Sequence, residues 1–180
     1  MALANTDQSF GLVSRVLHWG MALLILFMLG LGLRLANIEP GLANLWLYGL
    51  HKTLGFLVLT LIVLRALWHL ASPPPPPLGG PDALHGLARA VHRAFYLLLI
   101  AIPLTGWAGS SATGIDVMIA DRWTLPPLVE PSADGEDFWF GLHGILTKLL
   151  IGLILLHIAG AIRRALAGDG TLTRMIRGRV

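Results

Sequence analysis

The sequence predicts an all-α integral membrane protein, a four-helix bundle with both termini in the cytoplasm. Three observations predict it. Of 180 residues, 55% are hydrophobic and only 13% charged, about half the charge of a soluble domain of that length; the mean hydropathy is +0.72. The apolar residues gather in four stretches, each long enough for the roughly 20 helical residues a bilayer crossing needs. The basic residues divide unevenly between the two ends of those stretches.

The first span runs over roughly 13–36 and the second over roughly 45–71. Between the second and third lie five prolines, Pro73 to Pro77, which cannot continue a helix and favour an extended linker. The third span covers roughly 87–111 and holds Pro103, tolerable in a membrane helix but a place for a kink. The segment from Gly114 to Asp137 is the one sizeable polar loop, with room for a short interfacial helix. The fourth span covers roughly 138–165. No internal repeat is visible, and 1–180 reads as a single domain.

Orientation follows from the cations. Arg15, Arg65, Arg89, Arg93, Arg163, Arg164, Arg174, Arg177 and Arg179 fall on one side, and Arg34, Lys52, Arg122 and Lys148 on the other. The acidic loop residues Asp116, Asp121, Glu130, Asp134, Glu136 and Asp137 share that second side. The positive-inside rule therefore puts the termini and the polyproline linker in the cytoplasm.

Composition also excludes. Without cysteine there are no disulfides, thiolate metal sites, iron–sulfur clusters or CxxCH-attached haem. The pI near 10.0 suggests nucleic acid at first sight, but the basic residues flank apolar spans instead of forming a soluble basic domain. No phosphate loop and no cleavable signal peptide is evident; the first apolar stretch is long and carries His18.

The histidines carry the chemistry. His143 and His157 lie 14 residues apart in the fourth span, and His18 and His51 lie in the first and second. Ionisable groups inside spans are rare and need a cause. Fourteen residues are nearly four turns, roughly 21 Å of rise, so both rings of the fourth span face one way at two depths. Under the charge-derived topology His18 matches His157 near the cytoplasmic face, and His51 matches His143 near the periplasmic face. Paired imidazoles at two levels of an apolar bundle fit haem, two per chain. Gly11, Gly20, Gly55, Gly141, Gly144, Gly152 and Gly160 suit a flat macrocycle, although small residues also serve plain helix packing. Arg15, Arg93, Arg163 and Arg164 are candidates for the inner propionates, and Lys52 and Lys148 for the outer ones. His69 and His85, near the ends of the proline linker, are expected to be solvated.

The run Arg15-Val16-Leu17-His18-Trp19, the run His51-Lys52-Thr53-Leu54-Gly55, the stretch from His92 to Trp107, the His143 and His157 pair and the tail from Gly168 to Met175 together resemble the bacterial cytochrome b561 family. The resemblance spans nearly the whole chain. It implies two haem b groups with His18, His51, His143 and His157 as axial ligands, electron exchange with ubiquinone, and residence in the bacterial inner membrane. Some members are superoxide oxidases, which take an electron from superoxide outside and pass it to ubiquinone; others resemble the cytochrome b anchors of hydrogenases and formate dehydrogenases. His92, at the start of the third span, is a further candidate as ligand, quinone contact or proton carrier. Members such as the superoxide oxidases tend to have a histidine pair where this chain has Arg163 and Arg164, which makes those arginines quinone candidates while weakening the analogy there. Arginine hydrogen-bonds an oxygen but does not shuttle protons near neutral pH.

The expected function is thus transfer of electrons from superoxide or another periplasmic donor to quinone. Lys52, Arg122 and Lys148 would focus an anion at the outer face, against the acidic loop beside them. The alternative is a membrane-anchor subunit of a larger redox complex. A haem-free transporter with bound metal ions fits poorly, since two histidines without a nearby carboxylate or thiolate make a thin zinc or copper site.

Overall fold

A computed structural model describes residues 2–78 and 83–179, with 83 and 84 by backbone alone. The described chain orders as α1 (Leu12–Leu35), α2 (Leu45–Ala71), α3 (Ala83–Ala112), β1 (Val117–Ile119), β2 (Trp123–Leu125), α4 (Ala133–Leu166) and α5 (Thr171–Arg177). The four long helices are each apolar and long enough to cross a membrane. Their large side chains, such as Leu23, Phe27, Leu64, Leu97, Ile145 and Leu155, are exposed, as suits faces covered by lipid.

Three details differ from expectation. Helix α4 begins at Ala133, a turn and more before the apolar run. Ser132 accepts the Gly135 N–H at 3.3 Å on its Oγ, and Asp134 and Glu136 occupy the first turn, where the helix dipole favours anions. Helix α3 likewise reaches back to Ala83 and continues through Pro103. The polar loop holds an antiparallel hairpin, with Val117 opposite Leu125 and Ile119 opposite Trp123, in place of an interfacial helix. Ala120 and Asp121 turn it with φ of 52° and 51°. Side chains rarely take that conformation without compensation, and here the Ala120 N–H is satisfied by Thr53 Oγ1 at 3.0 Å.

The chain divides into two compact units, each drawing a stretch from all four long helices. The first comprises Met1–Met21, Leu61–Leu97 and Leu150–Val180. Its polar closure is built from the segments that flank the helices. Asn5 binds Ser72 twice, through its N–H to Oγ at 2.8 Å and its Nδ2 to the carbonyl at 2.7 Å. Arg174 of α5, 4% exposed, donates to the Pro76 carbonyl at 2.7 Å and lies 5.3 Å over the Phe10 ring. The Phe10 N–H reaches the Gly178 carbonyl at 2.9 Å. Gly178 has φ 92°, and a Cβ there would meet Arg15 Nη1 at 2.6 Å, so both conformation and space require glycine. Gly11, expected to clear a macrocycle, is needed instead for the N-terminal segment: a Cβ would run into the backbone of Leu3 and Ala4.

The second unit comprises Ala22–Thr60 and Leu98–Leu149. Trp107 Nε1 donates to the Pro126 carbonyl at 3.1 Å, and the Leu128 N–H donates to Ser111 Oγ at 3.1 Å, tying the loop after the hairpin to α3. Gly109 gives way to Phe140, whose ring carbons would lie 2.8 Å from a Cβ.

Candidate functional site

Each unit brings together imidazoles from different helices. In the second unit His51 of α2 faces His143 of α4 with ring centroids 6.3 Å apart and planes at 74°. The His143 ring is oriented by its Nδ1, which donates to the Ile102 carbonyl at 2.9 Å, leaving Nε2 as the atom free to coordinate. Thr105 Oγ1 lies 3.5 Å from the same Nδ1 and itself donates to the Ile102 carbonyl at 2.9 Å. Gly106, one turn beyond Ile102, makes this approach possible, because a Cβ would stand 3.1 Å from His143 Cε1 and Nδ1. Gly32 of α1 does the same for the other ring, at 3.3 Å from His51 Cε1. In the same unit, Lys52 is half-buried and feels the charge of Asp116, Arg122 lies 5.2 Å from the Trp123 ring, and Lys148 is exposed.

In the first unit His18 of α1 and His157 of α4 have centroids 6.2 Å apart at 64°. His92 of α3 is nearer to His157, at 5.5 Å, and Phe95 stands edge-on to His157 at the same distance. Arg65 of α2 lies within electrostatic reach of His18, His69, His92 and His157. Behind the pair, Trp68 Nε1 donates to Ser14 Oγ at 2.9 Å, and Ser14 is 1% exposed. Arg163 and Arg93 are exposed, whereas Arg164 forms an ion pair with Asp169 at 2.8 Å.

The four histidines expected to pair, together with His92, come together in the two groups described. The roles of Gly32, Gly106 and Thr105, and of Arg65 beyond its part in the basic-residue bias, are not written in the sequence. Their signal is contact across helices, which spacing along one helix does not carry. His69 departs from expectation: it is half-buried, and its Nδ1 lies 2.9 Å from Tyr96 Oη. The Nε2 atoms of His69 and His85 are both buried with no partner among the described residues. A Cβ at Gly20, Gly141, Gly144, Gly152 or Gly160 would meet nothing within 4 Å, so contact with a neighbouring helix does not explain their small size. Among the described residues no three His, Asp or Glu side chains converge as a metal-ion cluster.

Residues 9–178 match the family described as prokaryotic cytochrome b561. The chain is 32% identical over 181 residues to cytochrome b561 homolog 2 of Escherichia coli (strain K12), covering 98% of this chain and 95% of that one. It is 29% identical over 162 residues to a Yersinia pestis protein described as "Probable superoxide oxidase CybB", covering 89% and 91% of the two chains.

Proposed function

Because the chain belongs to the prokaryotic cytochrome b561 family, we propose that its 1–180 form one dihaem domain that moves electrons from a periplasmic donor, superoxide, to ubiquinone. At the coarser level it is a multi-pass protein of the bacterial inner membrane whose family cofactor is b-type haem.

One observation carries the dihaem reading. Two imidazoles on opposite sides of one metal, each at a bond of about 2.0–2.1 Å, bring their ring centroids to roughly 6.3 Å apart. The pairs His51 with His143 and His18 with His157 stand at 6.3 and 6.2 Å, which supports them as the residues that would hold the two haems. The shorter 5.5 Å between His92 and His157 favours His18 as the partner of His157. The fixed Nδ1 of His143 and the open space beside Gly141 and Gly144 support the same fit.

Bis-imidazole haem, when bound, supplies one-electron transfer and disfavours oxygen binding. This chain's residues set the rest. Ile102 and Gly106 hold His143 in one tautomer and place. Lys52, Arg122 and Lys148 attract an anion, with Asp116 opposing Lys52. His92, Arg93 and Arg163 are basic groups towards the cytoplasmic end for quinone oxygens or propionates, and Arg164 is tied to Asp169. The overall conversion is two superoxide ions, one quinone and two protons to two dioxygen molecules and one quinol. The likeness to the Yersinia pestis protein supports superoxide as donor. The basic-residue bias supports both termini in the cytoplasm, checked by reporter fusions at each end.

Optical spectra of the purified protein, oxidised and dithionite-reduced, with haem counted per chain, test the reading. Two low-spin b-haems per chain, one lost in His157→Ala, and superoxide-driven ubiquinone reduction are the expected results. Protein made with ample haem that shows no haem bands overturns it.

A further inference from the structure

One half-buried pair lies outside the two groups described above. His69 sits two residues before the end of α2, and Tyr96 lies one turn beyond His92 on α3. They meet at 2.9 Å through Nδ1 and Oη, with ring centroids 6.5 Å apart. The other ring nitrogen, Nε2, is buried and has no partner among the described residues. Neither tautomer resolves this. If Tyr96 donates to Nδ1, then Nε2 carries a hydrogen with nothing to receive it. If Nδ1 carries the hydrogen, Nε2 is a buried lone pair and the tyrosine hydroxyl hydrogen is left over. Buried groups of this kind ordinarily find a partner. An oxygen acceptor held beside Nε2 satisfies the first tautomer completely.

We propose that His69 and Tyr96 form the binding contact and proton donor for one carbonyl oxygen of the quinone. This rests on the dihaem reading for the source of electrons. Reduction of the quinone to quinol takes up two electrons and two protons. The pair supplies one of those protons, the Nε2–H bond breaking as the quinone O–H bond forms, and water at the membrane edge supplies the other. The Tyr96 hydroxyl proton passes to Nδ1, and Tyr96 regains a proton from water at the membrane edge. The geometry suits the task. Arg65, one turn before His69, is within electrostatic reach of the His69 ring and of His92, His18 and His157, so its positive charge favours the negative charge that builds on a quinone as electrons arrive. His92 joins the same neighbourhood through its 5.5 Å contact with His157.

The test uses the full-length haem-loaded protein, reduced under anaerobic conditions and mixed with either a short-chain ubiquinone or ferricyanide. Ferricyanide accepts an electron without a proton. Tyr96→Phe is expected to keep both haems and their spectra and to be oxidised by ferricyanide at the wild-type rate. Its oxidation by the quinone is expected to slow at least about tenfold, towards the ~10²–10⁴ range of a lost general acid. His69→Gln retains a donor amide but no relay, so its KM for quinone stays within about twofold while kcat falls. Unchanged quinone rates in both variants, or equal slowing with both oxidants, overturn the proposal alone. A wild-type protein without haem bands overturns the underlying reading and the proposal with it.

Discussion

Gly106→Ala probes the close approach of α3 to His143. The added Cβ would stand 3.1 Å from His143 Cε1 and Nδ1, where carbon contacts prefer about 3.5–4.0 Å. The ring must yield by roughly 0.4 Å or more. It is not free to do so, because its Nδ1 is bonded to the Ile102 carbonyl at 2.9 Å and α3 carries both that carbonyl and the new methyl. Overpacking of this kind costs about 1–3 kcal/mol. If the cost falls on ligand geometry, haem affinity at the His51 and His143 site drops about 5- to 150-fold, at 1.4 kcal/mol per tenfold. The other pair does not share it. Haem titration of the protein, read at the reduced b-haem bands, should then show one site filling normally and one filling late. Gly30→Ala is the control, since a Cβ there meets nothing within 4 Å; it should leave both sites alone and stabilise the helix by roughly 0.5–1 kcal/mol. Two sites of wild-type affinity in Gly106→Ala would refute the argument that glycine creates the room for His143.

Three further expectations concern the first unit. Trp68→Phe leaves the buried Ser14 hydroxyl without its partner and should lower stability by about 1–3 kcal/mol, a loss partly recovered in the double variant with Ser14→Ala; additive thermal shifts would refute the pairing. Burial opposes ionisation of Asp169, but the Thr171 N–H and Arg164 outweigh it and hold its carboxyl below the usual 3.8. With the folded value below the unfolded one, this contribution is complete above the ordinary carboxylate range and is lost as pH falls through the depressed value. The protection factors of the α5 amides, taken against the intrinsic exchange rate at each pH, should therefore fall as pH drops below the ordinary carboxylate range, and Asp169→Asn should remove that component. Arg174→Met strands the Pro76 carbonyl and releases Phe10, at about 1.5–3 kcal/mol. Limited proteolysis should then cut the proline linker sooner, and unchanged cleavage would show that the clamp carries no stability.

The spans were legible because lipid imposes a simple demand: about 20 apolar residues with every backbone group satisfied internally. The four paired histidines were legible for the same reason, since a polar ring in such a segment stands out. What escaped the sequence reading depends on partners from elsewhere in the chain. Ser132, Asp134 and Glu136 do write a helix start before the apolar run, but a reading led by hydropathy discards an acidic first turn. The hairpin at 117–125 escaped because its turn uses Ala120 and Asp121 where glycine or asparagine would signal it; Thr53, 67 residues away, makes that turn acceptable. His69 was read as a solvated residue near a linker, and only the approach of Tyr96 from α3 shows otherwise. Gly106 looked like any small membrane residue until His143 was seen against it.

The clamp between Arg174 and Pro76 also implies an order of assembly. Its two partners are 98 residues apart in sequence, and a ribosome adding about 5–20 residues per second needs roughly 5–20 s to pass from one to the other. Throughout that interval α2 and the proline linker exist without α5, and His18 exists without His157. The first unit therefore spends seconds of its synthesis open at the end that Arg174 and Gly178 later close. A flat, hydrophobic guest dissolved in the membrane can enter during that time without unfolding anything, and translation of the last helix then shuts the door behind it.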